Sequence, residues 1–256
     1  MQQKILEFIE KTEREKGIKV LLACETGSRA WGFPSPDSDY DIRLLYVHPR
    51  DWYLSVNNPT DAIDIMAENN ELDLSGWELK KSLILLKKSN AALLERIQSP
   101  IVYRADAEFV QDFKEAAQAC YSKIATMHHY LSMAKKMRTE IGDAEQFKLK
   151  KFFYTLRAAT VCRYITERDT MPPIEFAKVY RAPDLPAAIV RRTEELIALK
   201  AERSEAYLHS AEPLVLRFID ECIAKAEAAK DSLPAGRCRT EHLNRLLRKY
   251  VNKYDN

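Results

Sequence analysis

The chain has 256 residues, of which 46% are hydrophobic and 30% charged, and this composition excludes the disordered and fibrous classes of protein. A formal net charge of +2 does not by itself indicate nucleic acid or a membrane surface as a partner. No apolar run is long enough to cross a bilayer, and the first residues lack the pattern of a signal peptide, so we expect no membrane partner.

Five cysteines are scattered along the chain, and no two of them have CxxC spacing. An odd and dispersed set is typical of reduced thiols in a cytosol. The sequence therefore predicts a cytoplasmic protein with neither a zinc site nor a disulfide framework.

Helix and strand patterns alternate over the first 105 residues. The amphipathic first segment ends at a glycine, and the apolar run that follows is typical of a buried strand. The predicted elements are a helix over 1–17, a strand over 18–24, a short helix opened by the Gly27-Ser28 turn, a loop over 34–38, a strand over 39–47, a hairpin turning at Asn69-Asn70, and a helix over 79–98.

Strand patterns disappear after about residue 108, and long helical patterns with short connections predict a bundle. The expected fold class is therefore α+β. We expect an N-terminal domain of mixed sheet and helices over 1–105 and a C-terminal helical bundle domain over 106–256. The predicted helices of the second part cover 108–141, 143–167, 186–205, 208–231 and about 240–252.

Two aspartates alternate with apolar residues at the start of the second strand. Side chains alternate between the faces of a strand, so Asp39, Asp41 and Arg43 share one face. Carboxylates two residues apart suit Mg²⁺, which prefers oxygen ligands. Two such ions, about 3.5 to 4 Å apart, can hold the attacking and the leaving oxygen of a phosphoryl transfer.

A third carboxylate is expected from a neighbouring strand. Asp73 is the best candidate, because Leu72 and Leu74 would face the core. Glu71 has the same parity and is the reserve candidate, and Asp64 sits earlier in the hairpin. A phosphate can approach the backbone of Gly27 because no Cβ intervenes, and the Ser28 hydroxyl and a helix N-terminus can add to its binding.

Longer segments carry a resemblance to a known family. ETGSRAWGFPSPDSDYDIRLLYV, LDLSGWELKK, LLKKSNAALLERIQSPIVY, and KKFFYTLRAATVCRYI followed by MPP together resemble the RNA-ligase-associated polymerase-beta-like nucleotidyltransferases of the DNA polymerase beta superfamily. Thr26 stands where relatives often have serine, and Ala91 where proline is common. Neither departure removes a chemical group that the mechanism needs.

The resemblance implies transfer of a nucleoside monophosphate to a hydroxyl, with release of pyrophosphate, and a role in RNA end repair. It implies that Gly27 and Ser28 bind the triphosphate. It implies that Asp39 and Asp41 bind two Mg²⁺ ions (Mn²⁺ being an alternative) and that Asp73 is a third metal ligand that helps to activate the attacking hydroxyl.

Basic residues near these motifs are further candidates for binding the nucleotide. Arg29 and Arg43 can fork onto phosphate oxygens, but Arg43 can equally relieve repulsion between the aspartates. Lys81 follows the third strand and is either a phosphate ligand or part of a solvated face.

One helix of the second part carries a basic and aromatic face. Lys150, Tyr154 and Arg157 lie at i, i+4 and i+7, so they share one face of a helix. They either hold the base or triphosphate of the nucleotide or form a solvated face, with Tyr154 at the seam between the domains.

The leading hypothesis is a magnesium-dependent nucleotidyltransferase that binds a nucleoside triphosphate between its two domains and uses an RNA 3′ end as the acceptor. One alternative keeps this chemistry and replaces the acceptor by a protein hydroxyl or a small molecule. Another is a catalytically silent nucleotide-binding or RNA-binding regulator, and its mark would be loss of a carboxylate, whereas all three candidates are present.

Overall fold

A five-stranded sheet forms the centre of the N-terminal part in the computed structural model, which describes residues 1–57, 59–68 and 71–255. The strand order is β3-β4-β2-β1-β5. β2 and β4 run parallel, and the other neighbouring pairs are antiparallel. The strands are β1 (Lys19–Glu25), β2 (Tyr40–Val47), β3 (Ala62–Ala67), β4 (Leu72–Glu78) and β5 (Val102–Ala105).

Helices account for most of the remaining chain in the described ranges. They are α1 (Gln2–Lys16), α2 (Gly27–Trp31), α3 (Arg50–Tyr53), α4 (Leu79–Lys87), α5 (Ala91–Gln98), α6 (Ala107–Cys120), α7 (Lys123–Ile141), α8 (Leu149–Glu167), α9 (Phe176–Tyr180), α10 (Ala187–Ala201), α11 (Pro213–Ala229) and α12 (Thr240–Lys253). A short antiparallel pair, β6 (Gln146–Lys148) and β7 (Leu208–Ser210), lies among the later helices. Over the described residues, no helix has both the length and the apolar character that a bilayer span requires.

The chain divides into two compact units. The first contains Met1–Ala30, Asp39–Tyr121 and Gly236–Asn256, and the second contains Trp31–Ser38 and Ser122–Ala235. The sheet and the C-terminal helix α12 therefore belong to one unit, and the segment between Ala30 and Asp39 belongs to the other. The domain boundary at 105 that the sequence indicates remains a prediction.

One face of the sheet carries the core of the first unit. Ile42 and Leu44 of β2 and Leu74 of β4 are fully buried there, in one cluster with Ile5 and Ile9 of α1. Because side chains alternate along a strand, the residues between these apolar positions project from the opposite face. That alternation sends the polar residues of β2 and β4 to a common side.

Most predicted elements of the first 105 residues are present, and the α+β class is confirmed. Gly17 ends α1 in the left-handed conformation. The hairpin strands β3 and β4 pair as predicted, while the turn at Asn69-Asn70 lies outside the described residues. Two long predicted helices are each interrupted, the first at Ser89, where φ is +52°, and the second at Ser122, whose hydroxyl caps α7.

Two expectations were wrong. Strands do not end at about residue 108, since β6 and β7 lie beyond it, and each has only three residues, too few to show a period in the sequence. The cysteines are not all reduced, because Cys120 and Cys238 form a disulfide. These two residues are 118 positions apart, so their spacing in the sequence carries no sign of the pairing.

Candidate active site

The parallel pairing of β2 with β4 brings two of the predicted carboxylates together. Asp41 is paired directly with Asp73 in the register of the two strands. Neighbouring strands lie about 4.7 to 4.9 Å apart, and residues paired in this way project from the same face. The carboxylates of Asp41 and Asp73 are therefore neighbours although 31 residues separate them in the chain.

Arg43 joins these two carboxylates. Its Nη2 atom lies 2.5 Å from Asp41 Oδ1 and 2.8 Å from Asp73 Oδ2. Its Nη1 atom donates hydrogen bonds to the carbonyl oxygens of Asp73 and Ile42, at 2.9 and 3.2 Å. The side chains are 15% exposed for Arg43, 21% for Asp41 and 28% for Asp73, so the charges are only partly screened by water.

The Gly27 turn lies against Asp41. Gly27 has φ of +63°, and a Cβ built on it would lie 1.9 Å from Asp41 Oδ2. The neighbouring Thr26 N–H donates to the Asp41 carbonyl oxygen at 2.9 Å. Only glycine fits this position, for its backbone conformation and for the space that the carboxylate occupies. One oxygen of Asp41 thus faces Arg43 and the other faces the turn.

Glu25 is part of this site and was missed by the sequence reasoning. Its side chain is fully buried, accepts a hydrogen bond from the Asp41 N–H at 2.6 Å, and accepts another from the Tyr103 hydroxyl. Burial raises the pKa of Glu25 to about 7. A carboxylate that ends an apolar strand just before the Gly-Ser turn was the available signal, and its role is to hold the backbone of Asp41.

Asp39 lies two residues before Asp41, and Arg29 contacts the backbone of Asp39. Asp39 directly precedes β2, and its carbonyl oxygen accepts a hydrogen bond from Arg29 Nε at 2.9 Å. The Arg29 guanidinium lies 3.8 Å from the centre of the Tyr40 ring. Ser28 is 5% exposed, so its hydroxyl lies beneath the surface of the turn. These two contacts hold the Arg29 side chain against Asp39 and Tyr40, at the start of β2.

The reserve candidate Glu71 and the earlier acid of the hairpin, Asp64, have other positions. Glu71 is exposed, and its backbone carbonyl, rather than its carboxylate, contacts the start of β2 by accepting the Tyr40 N–H at 2.9 Å. Asp64 is exposed on β3, where it is paired with Ser75 in the register. Neither replaces Asp73 beside Asp41.

Lys81 lies at the other end of β4. Its Nζ atom forms an ion pair with Asp61 Oδ1 at 2.7 Å, and its N–H donates to the Glu78 carboxylate, which caps α4. Asp73 and Glu78 are five residues apart on one strand, which corresponds to about 16 Å. The structure therefore does not bring Lys81 to the carboxylate pair.

The three predicted residues of α8 have different surroundings within the second unit. Lys150 forms an ion pair with Glu205 at 2.6 Å. The Tyr154 ring meets Trp31 edge-on, with centroids 4.9 Å apart. The Arg157 guanidinium lies 4.3 Å from the centre of the Trp31 ring, and the residue is only 2% exposed. Arg157 therefore supports Trp31 from within the unit and does not present a free cationic surface.

The residues at Asp41 suit a divalent cation in their chemistry. Carboxylate oxygens are the ligands that Mg²⁺ prefers, and Asp41 and Asp73 are already neighbours. Among the residues that the structure describes, no three His, Cys, Asp or Glu side chains form a group arranged to hold a metal. Asp39 is thus not gathered with the other two, and Arg43 supplies the positive charge that they share.

One family model matches most of the chain, and one relative matches over most of its length. A model of the RNA repair pathway DNA polymerase beta family matches residues 1–249. YcgL of Bacillus subtilis (strain 168), itself an uncharacterized protein, is 36% identical over 252 residues, and the match covers 96% of this chain and 95% of that protein. The solved structure of a nucleotidyltransferase-like protein from Exiguobacterium sibiricum 255-15 aligns with 100% of this chain and 81% of its own, at 11% identity and a TM-score of 0.33, which is too distant to carry an argument.

Proposed function

Since the chain belongs to the RNA repair pathway DNA polymerase beta family, we propose that it is a nucleotidyltransferase that moves a nucleoside monophosphate from a nucleoside triphosphate to a hydroxyl group and releases pyrophosphate. The resemblance drawn from the motifs is confirmed at the level of the family. The reaction and its acceptor are the proposal.

The observation that carries the proposal is the pairing of Asp41 with Asp73 under the Gly27 turn. Two carboxylates lie in register on parallel strands, and one of them touches a glycine that tolerates no side chain. Because Gly27 has no side chain, the Asp41 carboxylate can lie directly against the backbone of the turn that would bind the triphosphate. Core packing alone would not place two carboxylates that are only 21% and 28% exposed side by side, because their repulsion has to be offset.

Asp41 and Asp73 would hold the metal, as two Mg²⁺ ions or, alternatively, Mn²⁺, and Asp39 would have to join them when the ions bind. When bound, such a pair of ions neutralises charge on the attacking and leaving oxygens. Asp41 lies between the other two in the proposed set, adjacent to Asp73 across the strands and two residues from Asp39 along the chain.

The remaining roles belong to residues around this pair. The Gly27-Ser28 turn and the guanidinium groups of Arg29 and Arg43 would bind the triphosphate. The acceptor hydroxyl forms the new bond to the α-phosphorus while the bond to the pyrophosphate oxygen breaks. Asp73 would lie on the acceptor side and assist the departure of the hydroxyl proton. Nucleotide contacts by Lys81, Lys150, Tyr154 and Arg157 stay predictions.

An RNA 3′ end is the proposed acceptor, in the cytoplasm. The printed name of the family, which refers to an RNA repair pathway, supports RNA. A strand end needs few phosphate contacts, so a net charge of +2 is compatible with it. The disulfide between Cys120 and Cys238 is unusual for a cytosolic protein, and thiol quantification in purified protein tests that part of the proposal.

The test is an acceptor screen with the purified protein, each of the four labelled triphosphates, and Mg²⁺ or Mn²⁺. RNA with a free 3′ hydroxyl should gain label, and RNA blocked by a 3′ phosphate should not. The double variant Asp39→Asn with Asp41→Asn should abolish transfer. Asp64→Asn, which removes an exposed carboxylate from the neighbouring strand β3, is the matched control and should retain it.

Three results would contradict parts of this function. Transfer by the double variant at the parental rate would show that the carboxylates are not the catalytic groups. Label on a protein or on a small molecule, with none on RNA, would reassign the acceptor. Binding of triphosphate without turnover on any acceptor would indicate a regulator.

A further inference from the structure

Arg43 already occupies the place between the two carboxylates. A single nitrogen, Nη2, is within hydrogen-bond distance of Asp41 Oδ1 and Asp73 Oδ2. A cation shared by the two carboxylates would also have to lie within reach of both at once. The guanidinium and a cation that bridges this pair therefore compete for the same oxygens.

The other contacts of Arg43 hold it in this position without neutralising it. Nη1 donates to two backbone carbonyl oxygens, those of Ile42 and Asp73, and neither carries a net charge. Among the residues that the structure describes, the carboxylates of Asp41 and Asp73 are thus the negatively charged groups that form ion pairs with this guanidinium. If they were given to another cation, Arg43 would need a new anion.

A guanidinium binds carboxylates and phosphates with the same planar fork. On the proposed function, the anion that arrives together with the metal is a triphosphate. We propose that Arg43 is an exchangeable internal counterion: it holds Asp41 and Asp73 together in the ligand-free protein, and it moves from them to the triphosphate when a divalent cation takes its place. This inference rests on the proposed function and adds a regulation of metal binding at the same site.

The exchange predicts effects of opposite sign for one substitution. Without nucleotide, removing the charge of Arg43 removes the competitor, so the metal should bind more tightly. With a metal–triphosphate complex, the same substitution removes a phosphate ligand, so the complex should bind more weakly. A counterion with a purely structural role would shift both affinities in one direction or neither. Coupling of this kind between sites typically amounts to roughly 5- to 150-fold.

The experiment measures Mn²⁺ binding to the full chain by calorimetry and by electron paramagnetic resonance of free Mn²⁺. Arg43→Gln should bind Mn²⁺ alone at least about fivefold more tightly than the parent, and the Mn²⁺ complex of α,β-methylene-ATP at least about fivefold more weakly. Arg43→Lys keeps the charge, so its affinity for Mn²⁺ alone should stay near that of the parent. Circular dichroism verifies that the variants are folded. If Arg43→Gln is not folded, Arg43→Lys tests the role of the charge.

Arg104 offers a matched control. It also bridges two carboxylates in the first unit, those of Glu13 and Glu10, at 2.7 and 3.2 Å, and it lies on the edge strand β5. Arg104→Gln should therefore leave both affinities near the parental values. Tighter Mn²⁺ binding in this variant would mean that any lost positive charge has the effect, and it would overturn the assignment to Arg43.

Two outcomes separate this inference from the proposed function. If Arg43→Gln binds Mn²⁺ alone no more tightly than the parent, or binds the nucleotide complex as well as the parent, the exchange is wrong. The proposed function still stands in that case, provided that Asp41→Asn abolishes Mn²⁺ binding and transfer. If neither the parent nor any variant binds Mn²⁺, with or without nucleotide, both the exchange and the metal-dependent function are wrong.

Discussion

Two arginines, one in each unit, are held by different kinds of partner. Arg43 lies between the carboxylates of Asp41 and Asp73, and its side chain is 15% exposed. Arg157 is 2% exposed, and its guanidinium lies over the Trp31 ring at 4.3 Å. Carboxylates are preferred ligands of hard divalent cations, whereas the half-buried ring of Trp31 is not such a ligand. The first arrangement is suited to exchange, and the second to permanent support.

Contacts within the second unit also involve part of the motif over residues 27–43. Lys200 Nζ donates to the Ser35 hydroxyl at 2.8 Å, and the Ser38 hydroxyl donates to Glu205 at 2.9 Å. These contacts hold the segment that directly precedes Asp39. The motif from Gly27 to Arg43 therefore runs through both units, although it is continuous in the sequence.

The largest effect is expected from Gly27→Ala, which disturbs the Asp41–Arg43–Asp73 group and leaves the surroundings of Arg157 unchanged. The new Cβ would lie 1.9 Å from Asp41 Oδ2, so the carboxylate or the turn must shift. We expect transfer to fall by two to three orders of magnitude, roughly 3 to 4 kcal/mol in activation free energy. Steady-state kinetics with the acceptor identified by the screen measures this.

Gly17→Ala is the matched control for this substitution. Gly17 also has a positive φ, +57°, but an added Cβ would find no atom within 4 Å. Its replacement should cost about 1 to 2 kcal/mol of folding stability and leave the transfer rate of the folded protein unchanged. A Gly27→Ala rate within threefold of the parent would show that the contact with Asp41 has no part in catalysis.

The second prediction compares the two arginines directly by urea unfolding. Arg157→Gln should lower the free energy of unfolding by about 3 kcal/mol, because it removes a buried, stacked side chain. Arg43→Gln should cost about 1 kcal/mol, since its ion pairs are partly exposed. A larger loss for Arg43 than for Arg157 would reverse the distinction between exchange and support.

The third prediction concerns His48, which has aromatic partners, as Arg157 does, but whose charge depends on pH. His48 follows β2 directly and stacks on Trp52, with centroids 4.3 Å apart. Burial lowers the pKa of His48 to about 4, compared with about 6.5 in an unfolded chain. The unfolded state therefore binds the proton first, and stability is lost as pH falls from about 6.5 towards 4.

Urea unfolding at pH 7.5 and pH 5.0 measures this effect. The parent should lose about 2 kcal/mol more than His48→Gln over that interval, because the variant has no imidazole to protonate. Equal losses in the two proteins would indicate that the charged imidazole is accommodated beside Trp52.

Local patterns predicted most of the helices and strands of the first 105 residues. Alternation along β2 separates Asp41 and Arg43 from Ile42 and Leu44, and the structure shows that separation. The contact between Arg43 and Asp73 could not be predicted, because it depends on which strands are neighbours. The same limit applies to Cys120 and Cys238, whose pairing depends on where the chain returns after 118 residues.

The helix face predicted on α8 shows a different limit. Spacings of four and three residues place Lys150, Tyr154 and Arg157 on one side of a helix, and such a side is exposed only if the helix lies at a surface. α8 packs against α7, α9 and α11 within the second unit, and buried residues occur all around it. Arg157 is therefore buried, and periodicity within one helix cannot reveal this.

The smallest effect is expected from Lys81→Ala, at the end of β4 that is remote from Asp73. Lys81 pairs with the exposed Asp61 at 2.7 Å, and such pairs contribute at most about 1 kcal/mol to stability. Its distance from the carboxylate pair leads us to expect unchanged kcat and KM for the triphosphate. A rise in KM of tenfold or more, without a change in stability, would show that the triphosphate extends along β4 and that the sequence placed Lys81 correctly. The residues that bind the triphosphate would then extend beyond the Asp41–Arg43–Asp73 group.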